Sequence, residues 1–269
     1  MKITESCYYD NFTWEEIKEI VRENRVVIIP VGTVEQHGKH LPLNTDNFLV
    51  EKVCNQVGKK ISTEILIMPP VLYGLNIHHM DFPGTIAIED ITFINFMTDI
   101  TKSVAFHGFR KILIVNGHGS NMIPLDLVVR RTNQQTKAYC AALTYPNVIL
   151  DLLSDIRDSE LGGICHAGEL ETSLYLYLNN TAVRKERIIK DLGYRNLSGT
   201  EYFYIDLEKS SPVTMIGWES SLTESGQIGD ATVASSKKGE NIFDLIIDRM
   251  IKIIREFRKY EEPERKDHH

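Results

Sequence analysis

VVIIPVG, residues 26–32, carries no charged side chain and is dominated by valine and isoleucine. β-Branched side chains are stiff at χ1 and suit a pleated surface, so the run reads as a strand. It is apolar throughout instead of alternating, which is the signature of a strand buried on both faces. The same form returns at residues 65–68 and 112–115, and more weakly at 138–143. Helical patterns separate these runs, over residues 46–59, 91–107 and 121–133, the first opened by Thr45 or Asp46. Strands alternating with helices of this length predict a mostly parallel central sheet covered on both faces, a three-layer α/β/α domain. Ahead of it, Thr13 and Glu16 form a capping box that opens a short helix. Ligands of such sheets bind beyond the carboxyl ends of the strands, so the loops after Gly32 and Val115 are expected to share one edge.

Bulk properties narrow the function. The chain has 269 residues, 42% hydrophobic and 25% charged, with no internal repeat or linker, and reads as one domain over residues 1–269. A formal net charge of -7 argues against a nucleic-acid partner, which would need concentrated basic surface, and suits small molecules and metal cations. Cys7, Cys54, Cys140 and Cys165 are widely spaced, without a disulfide framework, and point to a reducing cytoplasm. The start, MKITESCYYDNF, has no apolar signal core, and no segment is apolar enough over some eighteen residues for a membrane span. Residues 238–260 place Phe243, Ile246, Ile247, Met250, Ile254 and Phe257 at helical spacing, a helix that packs its apolar face on the sheet. Residues 181–216 are irregular and either cover the site or form an interface.

Three motifs carry chemistry. VGTVEQHGKHLPLNTD, residues 31–46, holds Glu35, His37, His40 and Asp46 at the mouth of the first strand. Carboxylates and imidazoles so placed suit a divalent metal, although the residues alone also fit a polar loop. NGHGSN, residues 116–121, follows the strand at 112–115. Gly117 and Gly119 let the backbone turn so that His118 projects as a ligand; a phosphate cradle or a plain turn are the other readings. CHAGELETS, residues 165–173, offers His166 and Glu169 at a helix entrance, with Glu171 either capping the helix or belonging to the catalytic shell. Cys165 as a thiol nucleophile lacks a partner base.

Taken in order, the pattern GxxEQHGxHLPLxTD, then FPGT (residues 82–85, preceded by His78 and His79), NGHGxN and HAGExETS resembles the creatininase (creatinine amidohydrolase) family. The closing SGQIGDATVASSKKGE, residues 225–240, is similar too. The resemblance implies a creatininase-like fold and two divalent metal ions per chain, Zn and/or Mn with Fe as a further candidate, bridged by Asp46. Glu35 and His118 would complete one site and His37 the other, with His166 as the catalytic histidine. Enzymes of the family that act on creatinine carry a glutamate where this chain has Ser120. Glu169 is expected to supply the missing ligand from the third motif, and so to serve both metal and catalysis. Those enzymes also carry a tryptophan just before the catalytic histidine, where Gly162, Gly163 and Ile164 stand here. Creatinine is therefore disfavoured, with Tyr145 or Trp218 left to offer a stacking surface and His79, Tyr145 and Ser120 expected to line the substrate.

The implied chemistry is hydrolysis of a cyclic or linear, non-peptide C–N amide bond. Two cations bring a bridging water to hydroxide near neutral pH and hold the oxyanion, while His166 protonates the leaving nitrogen. His40 would support a metal ligand or bond within its loop. Within the family, a deformylase acting on a ribosylated formamidopyrimidine and a peptide-trimming enzyme are the alternatives. From another class, a metal-dependent small-molecule-binding protein without turnover is the competitor. The resemblance further implies a homo-oligomer, typically a hexamer.

Overall fold

The computed structural model describes residues 6–209, 211–261 and 263–269; residues 1–5, part of the stretch read above as lacking a signal core, and residue 210, within the segment left unassigned, lie outside them. Helix α1 (Trp14–Ile20) opens on the capping box, with the Glu16 carboxylate accepting from the Thr13 amide at 2.7 Å. Then follow β1 (Val26–Val31), α2 (Thr45–Lys60), β2 (Ile65–Ile67), α3 (Asp90–Phe106), β3 (Lys111–Asn116), α4 (Met122–Gln135) and β4 (Tyr139–Thr144). These strands form one parallel sheet in the order β2-β1-β3-β4.

Successive side chains of a strand point to opposite faces, and β1 divides its residues accordingly. Val26 and Ile28 join one buried cluster with Leu49, Val53 and Val57 of α2, together with Leu113 and Val115 of β3. Val27, Ile29 and Val31 join the other, with Phe93, Ile94 and Met97 of α3, Leu125 and Val128 of α4, and Ile112 and Ile114 of β3. The three-layer α/β/α architecture expected from the continuous apolar runs is therefore present, with all six β1 residues buried.

The second half of the chain adds β5 (Ile164–His166), α5 (Glu169–Leu178), β6 (Lys190–Asp191), α6 (Gly193–Leu197), β7 (Ile228–Asp230) and α7 (Ser236–Lys259). Its short strands make an antiparallel sheet, β5-β7-β6, that the sequence pattern did not announce. Helix α7 buries Ile246, Ile247, Met250 and Ile254 in the cluster that also holds Leu170 and Leu174 of α5, so its apolar face packs inward, chiefly on α5 and also on α2, instead of directly on the sheet. The segment left unassigned in the sequence, 181–216, supplies β6 and α6 and then runs across the carboxyl edge of the parallel sheet, where Ile205, Val213 and Met215 roof a cavity. Among the described residues no helix is long and apolar enough to cross a membrane.

Candidate metal centre

The register of the parallel sheet sets Val31 of β1 beside Asn116 of β3, so the loops that leave these strands emerge side by side. Glu35 and His37 come from the first loop, Asp46 from the first turn of α2, and His118 from the second loop. Gly117 has to be glycine because a Cβ there would lie 2.8 Å from the carbonyl oxygen of Asp46; the turn and α2 touch at that point. Gly119 differs from expectation: a Cβ would meet nothing within 4 Å and its φ is not left-handed, so crowding does not demand a glycine there.

Asp46 is the hub. Its Oδ1 lies 3.0 Å from His37 Nε2 and its Oδ2 3.3 Å from His118 Nδ1. Glu35 Oε1 lies 3.1 Å from His118 Nδ1 and 3.4 Å from His79 Nε2. The Thr33 hydroxyl sits between the two carboxylates, 2.5 Å from Asp46 Oδ2 and 3.1 Å from Glu35 Oε2. On the far side, Glu171 Oε1 is 3.8 Å from His37 Nε2, while its Oε2 accepts the Ala167 amide at 2.6 Å. His166 stacks beside His37, ring centroids 4.4 Å apart, and its Nε2 is 2.8 Å from the Gln36 carbonyl oxygen. The Gln36 side-chain amide bonds the Gly226 carbonyl at 2.7 Å and His79 Nδ1 at 2.9 Å, tying the first loop to the last motif.

Electrostatics follow from placing these groups out of water. Burial alone would drive His37 towards neutrality, but the charge and hydrogen bond of Asp46, with Glu171 and Glu35 adding, raise it to about 10. Burial likewise opposes protonation of His118, yet Glu35 and Asp46 hold its pKa well above the usual imidazole value. For His166 burial wins, reinforced by the charge of His37, and its pKa falls well below normal. Burial also pushes Glu171 up to about 7, against the pull of His37. Protonated imidazoles and divalent cations are alternative sources of the positive charge that Glu35 and Asp46 require.

The donor atoms fit a metal. Glu35 Oε1 is buried and accepts no hydrogen bond, although imidazole nitrogens converge on it. The ligand atoms of Glu35, Asp46 and His118 all lie within 4.8 Å of one another, as do those of His37, His166 and Glu171, and of Glu35, His79 and His166. Mixed carboxylate and imidazole donors suit zinc, manganese or iron.

Glu169 does not join them. Its carboxylate accepts the amides of Asp158 (2.8 Å) and Ser159 (2.9 Å) and pairs with the Lys238 ammonium, 1% exposed and turned away from the centre. The role expected of Glu169 is corrected here: the carboxylate that reaches the His37 side of the centre belongs to Glu171, two residues on.

Two further expectations change. Tyr145 is 1% exposed and packs in the core beneath α5 instead of lining the cavity, and burial raises its phenol well above the normal pKa. His40 bonds outside its own loop, its Nε2 lying 2.8 Å from the Thr172 hydroxyl, next to Glu171 on α5. His79 and Ser120 do line the cavity of about 360 Å³ above Asp46 and His118, the Ser120 hydroxyl lying 3.3 Å from His78 Nε2. Arg195 and Glu219 stand on the same wall, and neither belongs to a motif the sequence offered.

A sequence model described as creatinine amidohydrolase matches residues 10–254. The chain is 27% identical over 267 residues to a 3-dehydro-scyllo-inosose hydrolase of Thermotoga maritima, covering 93% of this chain and 83% of the relative. It is 30% identical over 236 residues to a mycofactocin precursor peptide peptidase of Mycobacterium tuberculosis, covering 84% of this chain and 83% of that one. A Zn–Zn form and a manganese form of creatininase each superpose with a TM-score of 0.77 at 26% identity, over 95% of this chain and 99% and 100% of theirs. With its parallel sheet, its carboxyl-edge cluster and this match along nearly its whole length, the chain belongs to the creatininase family of amidohydrolases.

Proposed function

We propose that this protein hydrolyses a C–N amide bond with two divalent cations, zinc and/or manganese, held by Glu35, Asp46 and His118 on one side and by His37, Asp46 and Glu171 on the other. The observation that carries the reading is the Asp46 carboxylate, whose two oxygens face His37 at 3.0 Å and His118 at 3.3 Å. When bound, the cations would supply an activated water and electrophilic polarisation of the amide carbonyl.

The chain's own residues do the rest. With Nε2 2.8 Å from the Gln36 carbonyl, His166 keeps its proton on Nε2 and presents the Nδ1 lone pair to the site. Burial favours its neutral form, so it can take at Nδ1 the proton the attacking water gives up and return it to the leaving nitrogen. Thr33 and the Ala167 amide hold the carboxylates of Asp46 and Glu171 in place.

A linear amide suits the cavity better than a small flat ring. A neighbouring cavity of about 250 Å³ shares Gly117, Gly119, Cys165 and Glu171 with the first, so space continues on both sides of the centre. Trp14 is 75% exposed on α1 and lines neither cavity, while Trp218 lines an apolar pocket that shares His78, Ser120, Ile123, Ile216 and Gly217 with the main cavity and so stands at its margin. The peptide peptidase among the relatives favours the same substrate shape, and peptide amides are included in the proposal.

Assembly as a homo-oligomer, a hexamer by family resemblance, accords with exposed Ile77, Ile123, Ile216 and Trp218, and the free cysteines suit a reducing cytoplasm. Metal-loaded protein assayed against cyclic, linear and peptide amides, with metal counted by elemental analysis, tests the function. Product with two metals per chain supports it; thermal stabilisation by amides with no product would make the protein a binder instead.

A further inference from the structure

Two charged side chains on the cavity wall have no part in the reaction derived above. Glu219 opens the turn Glu219–Ser221, which packs against the turn Ile77–His79 and is tied there by the Ser220 hydroxyl donating to the Asp81 carboxylate. Glu219 is 7% exposed and faces the cavity, and among the described residues its carboxylate takes no hydrogen bond and no ion pair. Burial, helped by the charge of Glu35, pushes it up to about 7, against the pull of Arg195 and His118. Arg195 lies on α6 and lines the same cavity half-buried, with no ion pair to Glu219.

The two charges differ in what they need. Arg195 keeps access to water, so its charge is solvated without a partner. Glu219 is largely covered but lines the cavity, so its carboxylate is poorly hydrated and open to a donor that arrives with a ligand. Buried, unmatched groups in a cleft mark the place where a ligand completes the hydrogen bonding. The same cavity is lined by Val213, Met215 and Ile216, apolar surface that accepts an alkyl spacer.

We propose that Glu219 is a specificity-determining residue that receives a cationic nitrogen of the substrate, so that the natural substrate is a linear amide carrying a protonated amine, amidine or guanidinium at the end of an alkyl spacer. The proposal rests on the hydrolase reading for the reaction but not for the recognition. A charge-assisted hydrogen bond to a largely desolvated carboxylate discriminates by about tenfold to a hundredfold.

The test uses length-matched amides of different end charge: γ-aminobutyramide, valeramide and succinamate, with ε-aminocaproamide, heptanamide and adipamate as the longer set. Metal-loaded wild-type protein is expected to favour the cationic member of a set by about tenfold or more in kcat/KM, mostly through KM. Glu219→Gln should reduce that preference to within about threefold, and Arg195→Gln should preserve it. Thermal shifts with the same amides, read on metal-loaded and metal-free protein, report recognition independently of turnover. Should Glu219→Gln fold poorly, Glu219→Asp keeps the charge on a shorter reach and should retain a weakened cation preference.

Equal rates within each set, a preference for succinamate or adipamate, or a cation preference that survives Glu219→Gln overturns the proposal. Hydrolysis without charge preference leaves the hydrolase reading standing and removes this one. A cation-specific thermal shift that Glu219→Gln abolishes, in a protein that hydrolyses none of the amides, does the reverse. Neither hydrolysis nor a shift removes both.

Discussion

Glu171→Gln and Glu169→Gln make the same chemical change two residues apart and are expected to give opposite phenotypes. Glu171 sits among Asp46, Glu35 and His37, and burial with its acidic neighbours already pushes it up to about 7. Removing its charge therefore relieves repulsion, and an amide oxygen still accepts the Ala167 N–H now bonded at 2.6 Å. Relief of repulsion from Asp46 and Glu35 offsets the lost attraction to His37 3.8 Å away, so the metal-free variant should differ by under about 1 kcal/mol and melt within roughly 2–4 °C of wild type. It should bind one equivalent of metal in place of two and lose hydrolysis. Glu169→Gln instead breaks a buried ion pair with Lys238, whose side chain is 11% exposed. Removing one partner of such a pair costs about 3–5 kcal/mol. Lys238 keeps Asp158 at 2.6 Å and the Val233 carbonyl at 3.0 Å, which places the loss at about 3 kcal/mol, the low end of that range. For a chain of this size that lowers Tm by roughly 6–12 °C. Metal content by elemental analysis and calorimetry of the stripped proteins read both quantities. Two full equivalents of metal in Glu171→Gln, or loss of one from Glu169→Gln at unchanged Tm, would refute the assignment of Glu171 to the centre.

His166→Gln should lower kcat by about 10²–10⁴ with metal content unchanged, because it removes proton transfer and not a required ligand; steady-state rates alongside elemental analysis check this. Metal affinity should fall as pH falls: His37, held at about 10, and His118, also raised, bind protons that a cation must displace. Each proton released on binding raises the apparent Kd by about tenfold per unit of acidification, so a steep weakening from about pH 8 to 6 is expected, measured by competition with a chromophoric chelator. Gly119→Phe should fold at unchanged Tm, since a Cβ there meets nothing within 4 Å, yet fill the junction of the two cavities. KM for extended amides should rise by roughly tenfold or more, while metal content stays the same.

The parallel sheet was legible because β1, β2 and β3 are buried on both faces, and a continuous run such as VVIIPV has few other uses in a domain of this composition; β4, only partly buried, showed more weakly. The antiparallel sheet was not. Its strands are ICH, KD and IGD, too short for a period of two to show. They are held by specific polar contacts instead of a pattern. The Asp206 carboxylate accepts the Gly162 amide at 2.6 Å and pairs with Arg157, and the Gln227 side-chain amide reaches the Ile189 and Gly229 carbonyls at 2.8 Å. Such contacts join residues distant in sequence and leave no periodic trace. The same holds for the segment roofing the cavity.

At the site, a strand-end loop can direct a side chain only towards the sheet edge, so the motif positions of Glu35, His37, Asp46 and His118 carried geometric information. The ELE step did not. Successive helical residues are rotated by about 100°, so Glu169 and Glu171 point nearly opposite ways from α5, and the composition of the step is silent about which faces inward. What decides is the other end of the chain: α7 packs on α5 and brings Lys238 to one flank, which makes that flank the home of Glu169 and leaves Glu171 to His37. Glu219 poses the same problem without any motif, since a lone glutamate in a polar stretch reads as solvated surface. Its burial arises only when the turn it opens closes against Ile77–His79. Cation-binding groups must meet at fixed short distances, so they crowd into strand-end loops where a sequence reader can find them. A group that selects among substrates needs only to face the same cavity from whichever segment roofs it, and folding alone brings it there.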